Sequence, residues 1–154
     1  MLNDIEVKEI QKTVYELINK GAQEDAMELI KALLEHDPND AIALNFLGVI
    51  HLNLKNYELA YQYFRRSLQE QPNRAPTWVN YGLASHELGM NKDAMNAYLQ
   101  AANIDHSFIK AYVNSAAVLI EESKWKDAEK ACQIALEIDP ESEMAKKKPT
   151  AEKL

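Results

Sequence analysis

Small and apolar residues recur at spacings of three and four along the middle of the chain, the period of one helix face. Two such stripes follow each other: Leu44, Leu47, Gly48 and His51, then Ala60, Phe64, Ser67 and Leu68. Only residues 54–57 separate them, which is long enough for a turn but too short for a further element. The pattern therefore predicts two helices packed antiparallel as a hairpin.

The hairpin pattern repeats every 34 residues. The interval separates Ala26, Ala60, Ala94 and Ala128, and it divides the sequence into the units 7–40, 41–74, 75–108 and 109–142. Residues that stand at the same position of successive units form a column, and three further columns keep the period. The large apolar column is Ile10, Leu44, Trp78 and Tyr112. The mostly small column is Val14, Gly48, Gly82 and Ala116, and the mostly proline column is Pro38, Pro72, His106 and Pro140. A fixed period of about 20–50 residues is typical of stacked repeats.

Two residue types suggest how each hairpin is closed. A glycine such as Gly48 costs about 1 kcal/mol relative to alanine inside a helix, so we expect another helix to approach closely there, with Ala60 as the small partner. Asp-Pro pairs such as Asp37-Pro38 should end each second helix, because a residue before proline disfavours helical geometry. The proline then suits the start of the next helix.

The columns resemble the tetratricopeptide repeat pattern. The match is carried by Trp78, Gly82, Ala94, Tyr98 and Ala101, and one unit earlier by Leu47, Gly48, Ala60, Phe64 and Pro72. The first unit departs from the pattern at Thr13, Val14 and Leu17, and the fourth at Ser115 and Cys132, as expected of terminal repeats that cap an array. The resemblance covers residues 7–142 and implies an all-α, right-handed superhelical α-solenoid of four antiparallel hairpins that forms one domain, residues 1–142.

Composition and charge exclude several classes of protein. The formal net charge of −7 argues against nucleic acid, which requires a clustered basic face. The single cysteine, Cys132, excludes an internal disulfide framework and fits a reducing compartment, and we expect it to be a small buried residue. Residues 1–10 lack the apolar core of a signal peptide, and no window approaches the ~20 apolar residues of a membrane span. We therefore expect a soluble cytoplasmic protein.

No motif indicates catalysis. His36, His51, His86 and His106 lack the spacing of metal ligands on one helix, and one cysteine cannot build a thiolate zinc site. No glycine-rich phosphate loop is present. Adjacent acids such as Glu121-Glu122 point about 100° apart on a helix, so they form no catalytic dyad. We predict a protein that is not an enzyme, with no cofactor and no metal.

The family resemblance places one face of each first helix on a concave surface that binds an extended peptide or a partner helix. Asn80 and Asn114 lie one repeat apart there, and a row of amides can pair with any peptide backbone. They resemble a short form of the asparagine ladder in the repeat domain of O-linked N-acetylglucosamine transferases. The alternative is a set of solvated asparagines on a polar face. The candidate contact residues are Asn45, Phe46, Val79, Asn80, Leu83, His86, Glu87, Lys110, Val113 and Asn114.

Apolar residues on the same face suggest a contact surface. Phe46, Val49, Leu52, Val79, Leu83 and Val113 would be exposed in an empty groove, and contiguous exposed apolar surface marks interaction sites. Packing between neighbouring repeats is the alternative for Val49 and Leu83.

Co-chaperones of this fold bind the terminal carboxylate of heat-shock proteins through a first-helix Lys and Asn. The residues at these two positions are Gln11 and Tyr15 if the array begins at Val7, and Asn45 and Val49 if it begins at Ala41. Neither pair is Lys and Asn, so we expect no such carboxylate clamp.

The expected function is a non-enzymatic interaction scaffold that binds a protein or peptide. Two alternatives stay open: a module that recruits substrates for a separate transferase, such as a glycosyltransferase, and a scaffold that self-assembles into homo-oligomers through the ends of the array. Residues 143–154 should form a short basic tail or a partial capping helix. Such a short cap would leave Ile134 and Ile138 of the last hairpin partly exposed.

Overall fold

The structure, a computed structural model, describes residues 1–146, except for the side chain of Met144. No strand occurs in this part of the chain, which confirms the all-α fold. The helices are α1 (Asp4–Asn19), α2 (Gln23–His36), α3 (Ala41–Asn53), α4 (Tyr57–Glu70), α5 (Ala75–Glu87), α6 (Asn91–Ile104), α7 (Ile109–Glu121), α8 (Trp125–Ile138) and the single turn α9 (Glu143–Lys146).

The helices form two compact units. The first, Met1–Asn73, holds α1–α4, and the second, Arg74–Leu154, holds α5–α9. The boundary coincides with the predicted border between the second and third repeats, so each unit contains two hairpins. Each unit has its own apolar core, centred on Val14, Ile30 and Phe46 in the first and on Val79, Tyr98 and Val118 in the second. That four repeats act as one cooperative domain stays a prediction.

The turn inside each hairpin has the same geometry, and its key residue keeps the 34-residue period. The residues with positive φ are Gly21, Lys55, Gly89 and Ser123, at 60° to 78°. Each follows the first helix of its hairpin, and the next residue donates its N–H back into the last turn, as Asn56 does to the His51 carbonyl at 2.8 Å. This arrangement is the Schellman motif, which satisfies the last carbonyls of the helix.

The turn between hairpins is closed by an aspartate. α2, α6 and α8 end immediately before Asp37, Asp105 and Asp139, whose backbones are extended. Each carboxylate accepts a hydrogen bond from the N–H two residues further on, at 2.9–3.0 Å. The predicted helix ends at Asp37 and Asp139 are therefore correct, and there the aspartate adds an Asx turn to the effect of the proline. At Asp105 the next residue is His106, and the Asx turn closes the helix end without a proline.

The close approach predicted at Gly48 is present, but its partner differs from the expectation. The ring of Phe64, not Ala60, lies against Gly48, and the ring of Tyr98 lies against Gly82 in the same way. Both rings are buried, at 0% and 1% exposure. Glycine stands on the first helix so that an aromatic ring from the second helix can lie flat on the backbone.

The last hairpin is covered only in part. In α9, Ala145 is buried, and Lys146 Nζ pairs with Glu141 at 3.0 Å and Glu143 at 3.6 Å. Ile134 on α8 is 41% exposed and Ile138 is half-buried, as the sequence predicted. Residues 147–154 of the predicted tail lie outside the described residues.

Candidate functional site

In the first unit, two of the candidate contact residues are buried. Phe46 is 9% exposed and Asn45 is 6% exposed. The prediction that Phe46 is exposed in an empty groove is wrong, because α3 packs against α1, α2 and α4 and Phe46 belongs to the core of this unit. Val49 and Leu52 are half-buried, so they retain some accessible surface.

In the second unit, Val79 is also withdrawn from the surface. It is 1% exposed and packs with Ala94, Tyr98 and Val118. The expectation of an exposed Val79 is therefore wrong, and the reason is similar: α5 packs against both α6 and α7. The side chain that precedes Asn80 belongs to the core.

The other candidates of the second unit lie at or near the surface of α5 and α7. Asn80, Leu83, Val113 and Asn114 are half-buried, and Lys110 is exposed. Asn80 and Asn114 occupy equivalent positions on α5 and α7, and these two helices contact each other. We call Asn80, Leu83, Lys110, Val113 and Asn114 the first-helix face.

Acidic residues lie at the C-terminal ends of the same two helices. His86 Nε2 lies 2.7 Å from Glu121 Oε2, a contact between α5 and α7. Glu87 and Glu121 occupy equivalent positions one repeat apart, and both are exposed. Among the described residues, the buried Tyr98 hydroxyl has no hydrogen-bond partner. Burial raises the pKa of Tyr98, and the negative charges of Glu87 and Glu121 raise it further.

Sequence reasoning missed two matching grooves that involve the second helices. A groove of about 440 Å³ in the first unit is bordered by α2, α3 and α4, and one of about 360 Å³ in the second unit by α6, α7 and α8. Their linings correspond two repeats apart, as Met27 corresponds to Met95 and Lys31 to Leu99. Met27 is 38% and Leu99 58% exposed. The apolar side chains of Met27 and Leu99, which stand at different positions of their repeats, were the available signal.

Within residues 1–146, no cluster of three His, Cys, Asp or Glu side chains has an arrangement that could hold a metal ion. Among the helices described, none is both long and apolar enough to cross a membrane. Cys132 is buried, in agreement with its prediction as a small core residue.

Sequence comparison identifies the repeats. Models of the tetratricopeptide repeat match residues 17–75 and 75–107, together more than half of the chain. Tetratricopeptide repeat-containing protein trd-1 of Caenorhabditis elegans is 28% identical, over 79% of this chain and 19% of the relative. Small glutamine-rich tetratricopeptide repeat-containing protein 2 of Mycosarcoma maydis is also 28% identical, over 66% of this chain and 29% of the relative. The chain thus spans less than a third of either relative.

Solved structures agree on the fold. PilF of Pseudomonas aeruginosa superimposes with a TM-score of 0.83 at 20% identity, over 90% of this chain and 64% of that one. The first repeat domain of Spaghetti (RPAP3), bound to the HSP90 peptide SRMEEVD, superimposes with a TM-score of 0.67 at 22% identity. The match covers 71% of this chain and 87% of that one. Proteins of this fold generally serve as non-enzymatic interaction modules. The repeat matches, the relatives and the four helical hairpins of α1–α8 place this chain in the tetratricopeptide repeat family.

Proposed function

We propose that this protein is a non-enzymatic adaptor that binds an extended peptide segment of a partner protein on its first-helix face. The observation that carries the proposal is the equivalent placement of Asn80 and Asn114 on the adjoining helices α5 and α7, with both side chains half-buried. Each amide has donor and acceptor atoms, so the pair matches the alternating N–H and C=O groups of an extended backbone.

Apolar and charged residues complete the surface. Leu83 and Val113 lie beside the amides and are partly accessible, so they can contact alternate side chains of an extended ligand. Lys110 is exposed in the first turn of α7 and can attract an acidic group. Val79 is buried and helps to hold α5 beneath a ligand. Neither Val79 nor the buried Phe46 of the first unit is expected to touch the ligand.

The peptide complex of the RPAP3 domain supports peptide binding as a use of this fold. The residues that this chain offers at the clamp positions of the first repeat differ in chemistry from lysine and asparagine. Gln11 Nε2 donates to Asp40 at 3.1 Å within the first unit, and Tyr15 is 60% exposed. We therefore expect an internal peptide segment as ligand, recognised through its backbone.

The proposal is tested by selecting displayed random 12-residue peptides on the wild-type protein and on Asn80→Ala/Asn114→Ala. The control is Asn103→Ala/Gln133→Ala, which removes two exposed amides from α6 and α8. We expect wild type and control to enrich the same peptides and the double alanine variant to lose them while keeping its helicity. Equal enrichment on all three proteins would contradict the use of this face.

The same preparations test the self-assembly alternative. Light scattering gives the mass of the wild-type protein at several concentrations. A monomer that enriches peptides supports the adaptor, whereas a concentration-dependent oligomer that enriches none supports a scaffold built from the chain itself.

A further inference from the structure

We propose that a groove bordered by α5 and α6 binds an arginine side chain of a partner protein. The groove has a volume of about 320 Å³, and the residues that line it belong to the second unit. We call it the third-hairpin groove, and its lining includes Trp78, Tyr81, Asp93, Asn96, Leu99 and Gln100. None of these residues belongs to the first-helix face, so the inference goes beyond the proposed function.

Two aromatic rings of α5 form one side of the groove. Trp78 and Tyr81 lie about one helical turn apart, their ring centroids are 6.0 Å apart, and the ring planes are almost perpendicular, at 87°. A cation in the angle between perpendicular rings lies over a face of each, where the π electrons attract positive charge. Both side chains are half-buried, so packing holds the rings in place while part of their surface stays accessible.

Polar side chains of α6 form the other side of the groove. Asp93, Asn96 and Gln100 are exposed, and their spacing of three and four residues places them on one face of the helix. None of the three takes part in an ion pair or a side-chain hydrogen bond within residues 1–146. One carboxylate and two amides therefore offer acceptor oxygens to a ligand that lies on the rings.

This combination of rings and acceptors fits a guanidinium better than other organic cations. A guanidinium is planar, stacks on aromatic faces and carries five N–H donors, which can bond a carboxylate and amide oxygens at the same time. A quaternary ammonium has no N–H and would leave the acceptors unused, and a lysine ammonium is compact, strongly hydrated and unable to stack. Leu99, which is 58% exposed, can contact the aliphatic stem of the arginine.

The fourth repeat has an equivalent site that contains its own cation. The groove of about 360 Å³ bordered by α6, α7 and α8 is lined by an aromatic residue and an aspartate at the same repeat positions, Tyr112 and Asp127. It is also lined by Lys130, which stands one repeat after Asn96. Of the described residues that line the third-hairpin groove, none is basic. An arginine from a partner would supply the charge that Lys130 supplies one repeat later.

Titration with three capped tripeptides tests the site. They carry arginine, its neutral isostere citrulline or lysine between two glycines, and the readouts are the Trp78 indole N–H and the Leu99 methyl groups in NMR spectra. We expect the arginine peptide to shift these signals with a Kd on the order of 1–10 mM, as for one ion pair with one ring contact. The citrulline peptide should bind about tenfold more weakly because it lacks the charge. The indole N–H of Trp125, which does not line the groove, should not shift.

Substitutions at exposed positions of α6 test the role of charge, and circular dichroism checks that each variant keeps its helicity. Asp93→Asn should weaken binding of the arginine peptide about tenfold. Asn96→Lys introduces the lysine of the fourth repeat and should abolish the shifts. The control Asn103→Lys adds the same charge to the same helix at an exposed position outside the groove, and it should bind like wild type.

Several results would overturn the site: no shift of the Trp78 indole, equal shifts with the arginine and citrulline peptides, or equal binding by Asn96→Lys and Asn103→Lys. Binding of the lysine peptide as tight as that of the arginine peptide would contradict the assignment to arginine. Each of these results leaves the first-helix face standing, because Asn80 and Asn114 do not line the groove.

Discussion

Gly82 lies directly under the ring of Tyr98. A Cβ atom on Gly82 would come within 2.5 Å of Tyr98 Cε1 and 2.9 Å of Cδ1, distances at which the ring or the helix must move. Gly48 and Phe64 have the same relationship one repeat earlier. The small residue in this column therefore sets how closely the two helices of each middle hairpin pack, and the aromatic residue on the second helix depends on it.

Gly82→Ala should lower the free energy of unfolding. Alanine is favoured over glycine in a helix by about 1 kcal/mol, but the overlap with a fully buried ring costs about 1–3 kcal/mol, so destabilisation should dominate. Urea unfolding followed by circular dichroism measures the effect. Gly82→Ala/Tyr98→Leu should recover part of the loss, and a gain in stability from Gly82→Ala alone would contradict the packing described.

Lys55→Gly and Ser123→Gly should each stabilise the protein. Both residues have a positive φ, at 62° and 60°, and a left-handed conformation costs an L-residue with a side chain about 1–2 kcal/mol. Part of that is offset by the greater entropy that glycine loses on folding, so we expect a gain of about 0.5–1 kcal/mol in thermal or urea unfolding.

Asn53→Gly is the matched control for these two variants. Asn53 is exposed and is the last residue of α3. Its φ is not positive, so glycine has no conformational advantage there and should lower stability by a few tenths of a kcal/mol to about 1 kcal/mol. A loss of stability in Lys55→Gly comparable with that in Asn53→Gly would show that the turn does not hold Lys55 in the left-handed region.

Tyr98→Phe should leave the free energy of unfolding unchanged or raise it by up to about 1 kcal/mol. The hydroxyl is buried and has no hydrogen-bond partner in the part of the chain that the structure describes, and removing an unsatisfied polar group relieves its desolvation cost. The equivalent residue one repeat earlier is already phenylalanine, Phe64. Thermal unfolding measures the change. A marked loss of stability would mean that the hydroxyl is hydrogen-bonded in solution.

Ser107→Ala should raise the pKa of Asp105 towards its ordinary value. The Ser107 hydroxyl donates to the carboxylate at 2.7 Å and the Ser107 N–H donates at 2.9 Å, and these two bonds lower the pKa. The stability gained from the ionised carboxylate is present above the ordinary aspartate pKa. It is lost as the pH falls through the lower folded value.

Titration of Asp105 by NMR in wild type and Ser107→Ala checks the shift. The backbone donor remains in the variant, so the pKa should rise only part of the way. An unchanged Asp105 pKa in the variant would show that the serine hydroxyl does not hold the carboxylate.

The period of the sequence predicted the architecture because helix pairing depends on residue columns that recur. Ala60 and Ala94 mark positions where two helices meet, and Asp37 and Asp105 mark the ends of second helices. Both features are local or involve one neighbouring helix. The helix order and the turns between helices therefore follow from the sequence alone.

What the sequence could not predict depends on contacts with a third element or on backbone geometry. Phe46 and Val79 match the pattern of an exposed groove, but neighbouring helices cover them. Lys55 and Ser123 share a left-handed backbone with Gly21 and Gly89, although their side chains have nothing in common. The contact of His86 with Glu121 joins residues on different repeats, and no column reveals it.

The most direct test of the central claim is a titration of the isotope-labelled protein with its tightest selected 12-residue peptide, followed by amide and methyl NMR spectra. Binding on the first-helix face predicts shifts at the side-chain amides of Asn80 and Asn114 and at the methyl groups of Leu83 and Val113. Shifts confined to Met27 or Leu99, which line the grooves beside the second helices, would contradict it.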